Sequence, residues 1–385
     1  MAENYTRQDS TQHRCPNCGA PLRYDPQSGN LFCDHCESTV DFEKSDDVQE
    51  REFDDLVTFQ KVGKGEVTCY RCSNCGAISV VPRSALATHC PYCDSPLVLD
   101  DVTGTFVKPD TVIPFELTKA DAVAKLSAWR KRKWFAPRKF RKIVKENSVK
   151  GVFVPAWTFD AKTSSNYSGQ VGYVRTRTVR RDGKTYTETY TEWKNVSGVI
   201  ENSFDDITLR ANENIPENYF RRLNIVDKSK YKVYEDEFLA GYIADHYTLE
   251  PLDAFNQAKQ MMLSDIRRAI VARYHADEAG ALNVRMDILS KSFKYLLIPV
   301  YVASTRFNGK NYTQYVSGVF SNEKQDCKIV GKSPVSAWKT ILAVVLGLGV
   351  IGLFVWLFAT IMQNGEADLS DFWLHAQNFT QKFLK

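Results

Sequence analysis

From Ile341 to Met362 the chain reads ILAVVLGLGVIGLFVWLFATIM, 22 residues without a charge. At about 1.5 Å of rise per residue, a helix of that length covers the roughly 30 Å hydrocarbon layer of a bilayer, where only a helix satisfies such a segment's backbone. The run lies far from the N-terminus and is longer than a signal-peptide core, so it reads as one retained membrane anchor. A buried core helix is the competing reading, but such helices are usually shorter and carry a polar face.

Charge beside the anchor gives its direction. Lys324, Lys328, Lys332 and Lys339 precede it, whereas Glu366, Asp368 and Asp371 follow, with no basic residue before Lys382. Basic residues near a span resist translocation, so the expected location is the cytoplasmic membrane, single-pass, with the N-terminal bulk cytoplasmic and residues 363–385 outside. In that tail Leu369, Phe372, Trp373, Ala376, Phe379 and Phe383 recur at helical spacing, as in an amphipathic helix on the outer surface; an unstructured end is the alternative.

The chain has ten cysteines, eight of them in four Cys-x-x-Cys pairs forming two matched sets. Cys15 and Cys18 go with Cys33 and Cys36; Cys72 and Cys75 go with Cys90 and Cys93. In each set 14 residues separate the inner cysteines, and the second set repeats the first 57 residues on. Two thiolates three positions apart on a tight turn, with Gly19 or Gly76 relieving the backbone, hold one edge of a tetrahedron around Zn²⁺, and the second pair closes it. Four protein ligands leave no open position for water, so the expectation is two structural zinc ions in two zinc ribbons. Disulfides conflict with a cytoplasmic placement. Cys69, three residues before Cys72, is an alternative ligand, but Cys72 reproduces the first register. His35 and His89 read as bystanders beside the ligands, and Cys327 as a small buried residue.

Zinc ribbons bind nucleic acid or protein, and charge discriminates. From Arg14 to Glu43 only Arg14 and Arg23 oppose five acidic residues; from Glu66 to Asp100 only Arg71 and Arg83 oppose three. Each Zn²⁺ with four thiolates adds a net charge of about −2. Phosphate backbones need the opposite sign, so the ribbons read as protein-docking modules.

A basic stretch occurs at residues 129–142, where Arg130, Lys131, Arg132, Lys133, Arg138, Lys139, Arg141 and Lys142 are interleaved with Trp129, Trp134, Phe135 and Phe140. This mixture suits anionic lipid heads, nucleic acid or an acidic partner, and inner-leaflet contact is the reading most economical with an anchor. The alternative is inward-packed aromatics under a solvated charged face.

The remainder, residues 106–335, is long enough for a core of its own. Thr118-Lys-Ala-Asp121 resembles a capping box opening a helix to about Lys131. A second helix is expected over 251–275, with Pro251 in its first turn and Phe255, Ala258, Met262, Ile266 and Ile270 on one face. GVFVPAWTF at 151–159 and YLLIPVYVA at 295–303 suggest a duplicated β unit, with Pro155 and Pro299 at an edge or bulge. Asp182-Gly183 marks a hairpin pairing Val179 with Tyr186 and Arg177 with Glu188. Neither face of that ribbon is apolar, so it should project into solvent, as a docking arm or an inert one.

The expected fold class is α+β: ribbon 1 at 1–45, a linker at 46–65, ribbon 2 at 66–105, a β-rich body at 106–335, the span at 336–362 and the tail at 363–385. The paired ribbons, Trp-Phe-Ala-Pro at 134–137, Val-Pro-Ala-Trp-Thr-Phe-Asp at 154–160, Leu-Ile-Pro-Val-Tyr at 297–301, Asn308-Gly-Lys-Asn-Tyr312 and the late span together resemble a bacterial membrane family labelled TFIIB-type zinc-ribbon or primosomal helicase-like proteins. Such proteins are often encoded beside phage-shock protein A and an SPFH-domain protein. The resemblance therefore implies recruitment of envelope-stress scaffolds to the inner face. The sequence departs from the family at Val316-Ser-Gly-Val319, where an Asn-Gly turn is usual. No helicase motor is legible: Gly331-Lys-Ser333 has Asp326 where a phosphate-binding loop needs its first Gly. No nucleophile and base are spaced for catalysis, so the expectation is a non-enzymatic membrane adaptor, with a membrane-tethered nucleic-acid binder using residues 129–142 as the runner-up.

Overall fold

The apolar run GVFVPAWTF lies in a strand buried on both faces of a sheet. In the computed structural model Val152, Val154 and Ala156 enter one hydrophobic core, while Phe153, Trp157 and Phe159 enter another. The period of two divides a strand's side chains between the faces, so a strand covered on both sides needs no polar alternation. The structure describes residues 14–53, 66–80, 89–95, 98–105, 108–142, 144, 146–321 and 326–363. Two units emerge, Met1–Trp129 with Val144–Lys332, and Arg130–Ile143 with Ser333–Lys385.

The first unit carries β1 (Arg23–Asp25), β2 (Asn30–Phe32), β3 (Thr39–Val40), β4 (Arg51–Glu52), β5 (Glu66–Arg71), β6 (Ile78–Val80), β7 (Val98–Thr105) and β8 (Thr111–Val112). It continues with β9 (Val149–Arg181), β10 (Lys184–Arg210), β11 (Lys232–Val233), β12 (Ile243–Asp245), β13 (Glu278–Ala279), β14 (Asn283–Phe307), β15 (Lys310–Ser317) and β16 (Ile329–Gly331). Its helices are α1 (Lys119–Arg132, whose last three residues belong to the second unit), α3 (Glu217–Leu223) and α4 (Pro251–Arg273). Strands β1 to β3 make a small antiparallel sheet, and the others one large sheet centred on β14 and β9. This is an α+β fold.

Strands β9 and β14 run antiparallel about Val154 and Ile298, so that Phe153 faces Pro299 and Pro155 faces Leu297. Just before its proline each strand meets a short parallel neighbour: β12 pairs at Val152 and Phe153, β8 at Leu296 and Leu297. Just after it each pairs with its hairpin partner, β10 reaching Ala156 and β15 reaching Val300. Two halves thus repeat one order, β8-α1-β9-β10 and β12-α4-β14-β15, and the first strand of each half pairs with the long strand of the other. The expectation of an edge or bulge for Pro155 and Pro299 is corrected. Both prolines sit in central strands, at the seam where one neighbour ends and the next begins. A missing N–H breaks no ladder there, and both carbonyls are used, Pro155 O by Ala211 N (2.9 Å) and Pro299 O by Gly318 N (3.0 Å).

The helices start where local chemistry places them. Thr118 Oγ1 accepts from Asp121 N (3.1 Å) and Thr118 N donates to Asp121 Oδ2 (3.3 Å), a reciprocal cap for α1. Helix α4 begins at Pro251 and buries Phe255, Ala258, Met262, Ile266 and Ile270. Between β9 and β10, Asp182 and Gly183 have φ of 49° and 74°, as a two-residue hairpin turn needs. The register pairs Val179 with Tyr186 and Arg177 with Glu188. From Val174 to Val199 the ribbon is exposed on both faces apart from a few half-buried positions. The segment expected as a linker is corrected at its start: β4 adds to β14, and the Phe53 ring meets that of Phe255 at a tilt of 49° with centroids 4.3 Å apart.

In the second unit, α2 (Arg138–Lys142) follows a turn at 133–137, and α5 (Ala337–Gln363) is the one helix among the described residues long and apolar enough to cross a membrane, over Ala337–Thr360. Its large side chains are exposed all round, Val355, Trp356 and Phe358 each by more than 60 %, as in a candidate span whose apolar run packs against no other described part of the chain. The tail expected at 363–385 lies, beyond Gln363, outside the described residues.

Candidate metal centres and the basic turn

Each Cys-x-x-Cys pair folds as the same knuckle. Cys15 N donates to Ala20 O (2.8 Å) and Gly19 N to Cys15 O (2.8 Å); in the second ribbon Cys72 N donates to Ala77 O (2.9 Å) and Gly76 N to Cys72 O (2.8 Å). Gly19 and Gly76 both have φ of 75°, the left-handed conformation that folds the loop back under its sulfurs. The second knuckle of each ribbon closes the same way, with Glu37 and Asp94 at φ of 59°.

The eight sulfurs gather as two groups of four, with the ligand atoms of each within 4.8 Å of one another. The Sγ separations are 3.5 Å for Cys15 to Cys36 and Cys18 to Cys33, 3.4 Å for Cys72 to Cys93 and 3.6 Å for Cys75 to Cys90. Tetrahedral Zn–S bonds of about 2.3 Å put sulfurs about 3.8 Å apart, whereas a disulfide needs about 2.05 Å. All eight are free thiols, and the donor set fits two structural zinc ions. Ser38 Oγ lies 3.2 Å from Cys15 Sγ and 3.0 Å from Cys36 Sγ, and these hydrogen bonds lower both thiols, whereas burial and the neighbouring thiols push Cys18 up. Cys69, the alternative ligand, lies on β5 opposite Val80 and Val102. His35 and His89 are exposed, and burial pushes the Cys327 thiol up to about 11.

The ribbons are built into the body rather than strung from it, one against each core. Cys15, Tyr24, Leu31 and Cys33 join the core containing Phe153 and Trp157. Tyr24 N donates to Ala240 O (2.9 Å), and the Tyr24 ring lies 5.4 Å from that of Phe238. Cys72, Ala77, Cys90 and Tyr92 join the core containing Val152 and Val154, and β6 pairs with β12. Body side chains also grip the second ribbon's last knuckle: Lys150 Nζ donates to His89 O (2.7 Å), Thr313 Oγ1 to Tyr92 O (3.1 Å) and Asn311 Nδ2 to Cys93 O (3.4 Å). Exposure therefore differs at the second knuckle alone: Asp34, His35 and Cys36 of the first ribbon are open to solvent, whereas their counterparts Pro91 and Tyr92 are buried and Cys93 is half-buried. Cys18 and Cys75 are alike exposed, as are Glu37 and Asp94.

Two polar clusters escaped the sequence reading because their members are far apart in the chain. Asp245, 1 % exposed, accepts from Tyr92 Oη, Ser79 Oγ (3.0 Å) and Asn214 Nδ2 (2.8 Å). Burial raises its carboxyl to about 6. Asp160, Asp205 and Asp206 also approach one another, but lysines already neutralise them: Lys294 Nζ lies 3.3 Å from Asp160 and 3.0 Å from Asp206, and Lys228 pairs with Asp205.

The basic stretch forms the end of α1, a turn and α2. Arg130, expected on the charged surface, is corrected: it is fully buried with its guanidinium 4.6 Å from the Phe140 ring centroid. Lys131, Arg132, Arg138, Lys139 and Lys142 are exposed, while Lys133 and Arg141 are half-buried. Trp134 and Phe135, 55 % and 43 % exposed, meet edge to face. Three hydrogen bonds tie this turn to the start of α5: Ser336 N donates to Phe135 O (2.9 Å), and Lys339 Nζ to Trp134 O (2.7 Å) and Ala136 O (2.9 Å).

No family model matches the chain, and no solved structure matches it significantly. Over 334 residues it is 28 % identical to a protein of Bacillus subtilis (strain 168) named Uncharacterized protein YdjG, an alignment covering 85 % of this chain and 91 % of that protein.

Proposed function

We propose that this chain is a single-pass adaptor of the cytoplasmic membrane, with its zinc ribbons on the cytoplasmic side and the first ribbon as the face that docks a protein partner. The observation that carries this reading is the contrast between the ribbons. Closed four-cysteine centres supply rigidity and no open metal position; the last knuckle of the second ribbon is braced by Lys150, Asn311 and Thr313, while the corresponding knuckle of the first, from Asp34 to Glu37, is open to solvent, with Asp34 held by Arg23 at 2.9 Å. Acidic, metal-stiffened knuckles repel a phosphate backbone and suit a basic protein surface. Orientation follows from Lys324, Lys328, Lys332 and Lys339 before the span and the acidic residues after it. Scaffolds of the phage-shock protein A or SPFH-domain kind are the candidate partners.

Cross-linking in living cells tests this. Asp34→Lys with Glu37→Lys keeps every zinc ligand and should remove the adduct formed by the wild type; Cys18→Ser should remove it as well. Identical adducts from all three proteins would reject docking by the first ribbon.

A further inference from the structure

We infer that the turn at residues 133–137, with the basic residues on either side of it, is a collar that binds the headgroups of anionic phospholipids around the base of the anchor. The inference rests on the reading of α5 as a membrane span and adds a ligand class to it. The carrying observation is the set of hydrogen bonds from Ser336 and Lys339 to the carbonyls of Phe135, Trp134 and Ala136. Ser336 and Lys339 stand five and two residues before Ile341, where the uncharged run begins. At about 1.5 Å per residue the turn is held within about 8 Å of the hydrocarbon edge. The headgroup layer on each side of a bilayer is about 5–7 Å thick, so the turn sits at its depth.

The side chains match that layer. Trp134, exposed to water in the absence of lipid, is an amphipathic aromatic of the kind enriched at the interface, and the exposed Phe135 ring beside it is apolar. Lys131, Arg132, Arg138, Lys139 and Lys142 are exposed around them, with no acidic residue from Arg130 to Lys142. Lys339, the one charge inside the apolar helix, has its ammonium engaged by two carbonyls, so its charge holds the turn in place. Five exposed cations held beside a span complement a negative leaflet, and an acidic protein or a nucleic acid would have to compete with lipid at that depth.

The test uses the full-length protein in mild detergent, offered phosphatidylglycerol and phosphatidylcholine of identical chains in equal amounts, with bound lipids counted by native mass spectrometry. Phosphatidylglycerol should be retained at least about tenfold over phosphatidylcholine at low salt, and high salt should erase most of the preference. The variant Lys131→Gln, Arg138→Gln, Lys139→Gln, Lys142→Gln should lose the preference while keeping the wild type's zinc content. Trp134→Ala provides a second variant with every charge intact, in which retention should weaken. Equal retention of both lipids by the wild type, or binding of a single-stranded oligonucleotide there in place of lipid, would overturn the collar. A chain that stays out of vesicles altogether would overturn the anchor itself, a distinguishable failure.

Discussion

The phenol of Tyr92, between the ligands Cys90 and Cys93, donates to the buried carboxylate of Asp245 on β12. That bond joins a candidate zinc centre to the large sheet through two side chains 153 residues apart. Neither residue is a ligand. The second ribbon is thereby placed by the body as well as by its own four-cysteine knuckles.

Burial of the same carboxyl predicts a pH dependence. Burial raises the Asp245 carboxyl from its ordinary value of 3.8 to about 6. As pH rises from 3.8 to 6 the unfolded chain loses this proton first, so the group's contribution to stability falls across that window, by at most about 3 kcal/mol. Asp245→Asn has no proton to lose. Denaturation midpoints of the two proteins should shift in the variant's favour between pH 4 and pH 7, and a constant difference would refute the placement of Asp245 in a dry site.

Loss of zinc should have unequal consequences. Cys18→Ser removes an exposed ligand, whereas Cys90→Ser removes one that is 1 % exposed and packed with Ala77 and Tyr92 in a core of the body. Each variant should hold one zinc ion instead of two by elemental analysis. Cys90→Ser should in addition lower the thermal midpoint of the body, a cost of about 2–5 kcal/mol as in other disrupted cores. A Cys90→Ser midpoint equal to the wild type's would mean that the second ribbon is not built into that core.

Lys294 is nearly buried among Glu50, Asp160 and Asp206, at 2.9, 3.3 and 3.0 Å. Burial and the hydrogen bond to Glu50 raise Asp160 to about 7. Lys294→Met would leave the carboxylates without their shared cation, which should destabilise the fold by about 3–5 kcal/mol. Chemical denaturation measures this; a change below about 1 kcal/mol would show that the cluster is solvated.

Thr118→Ala removes the hydroxyl that caps α1 and should cost about 0.5–2 kcal/mol. Circular dichroism during thermal unfolding would report it, and Thr118→Ser should restore most of the loss.

Local chemistry made much of the chain legible. The matched cysteine spacing specified two tetrahedral sites because two thiolates on one knuckle are a short-range arrangement. The cap at Thr118, the turn at Asp182-Gly183 and the apolar length of α5 are likewise settled by neighbours in sequence. Tertiary structure alone decided what those pieces meet. The seams that admit Pro155 and Pro299 in central strands depend on residues distant in the chain, as do the Tyr92 to Asp245 bond and the tie from Lys339 to the turn. A linear pattern reports periodicity, charge and turn propensity; it cannot report which strand passes beside a proline or which carbonyl waits for an ammonium, because those pairings are fixed by packing across hundreds of residues.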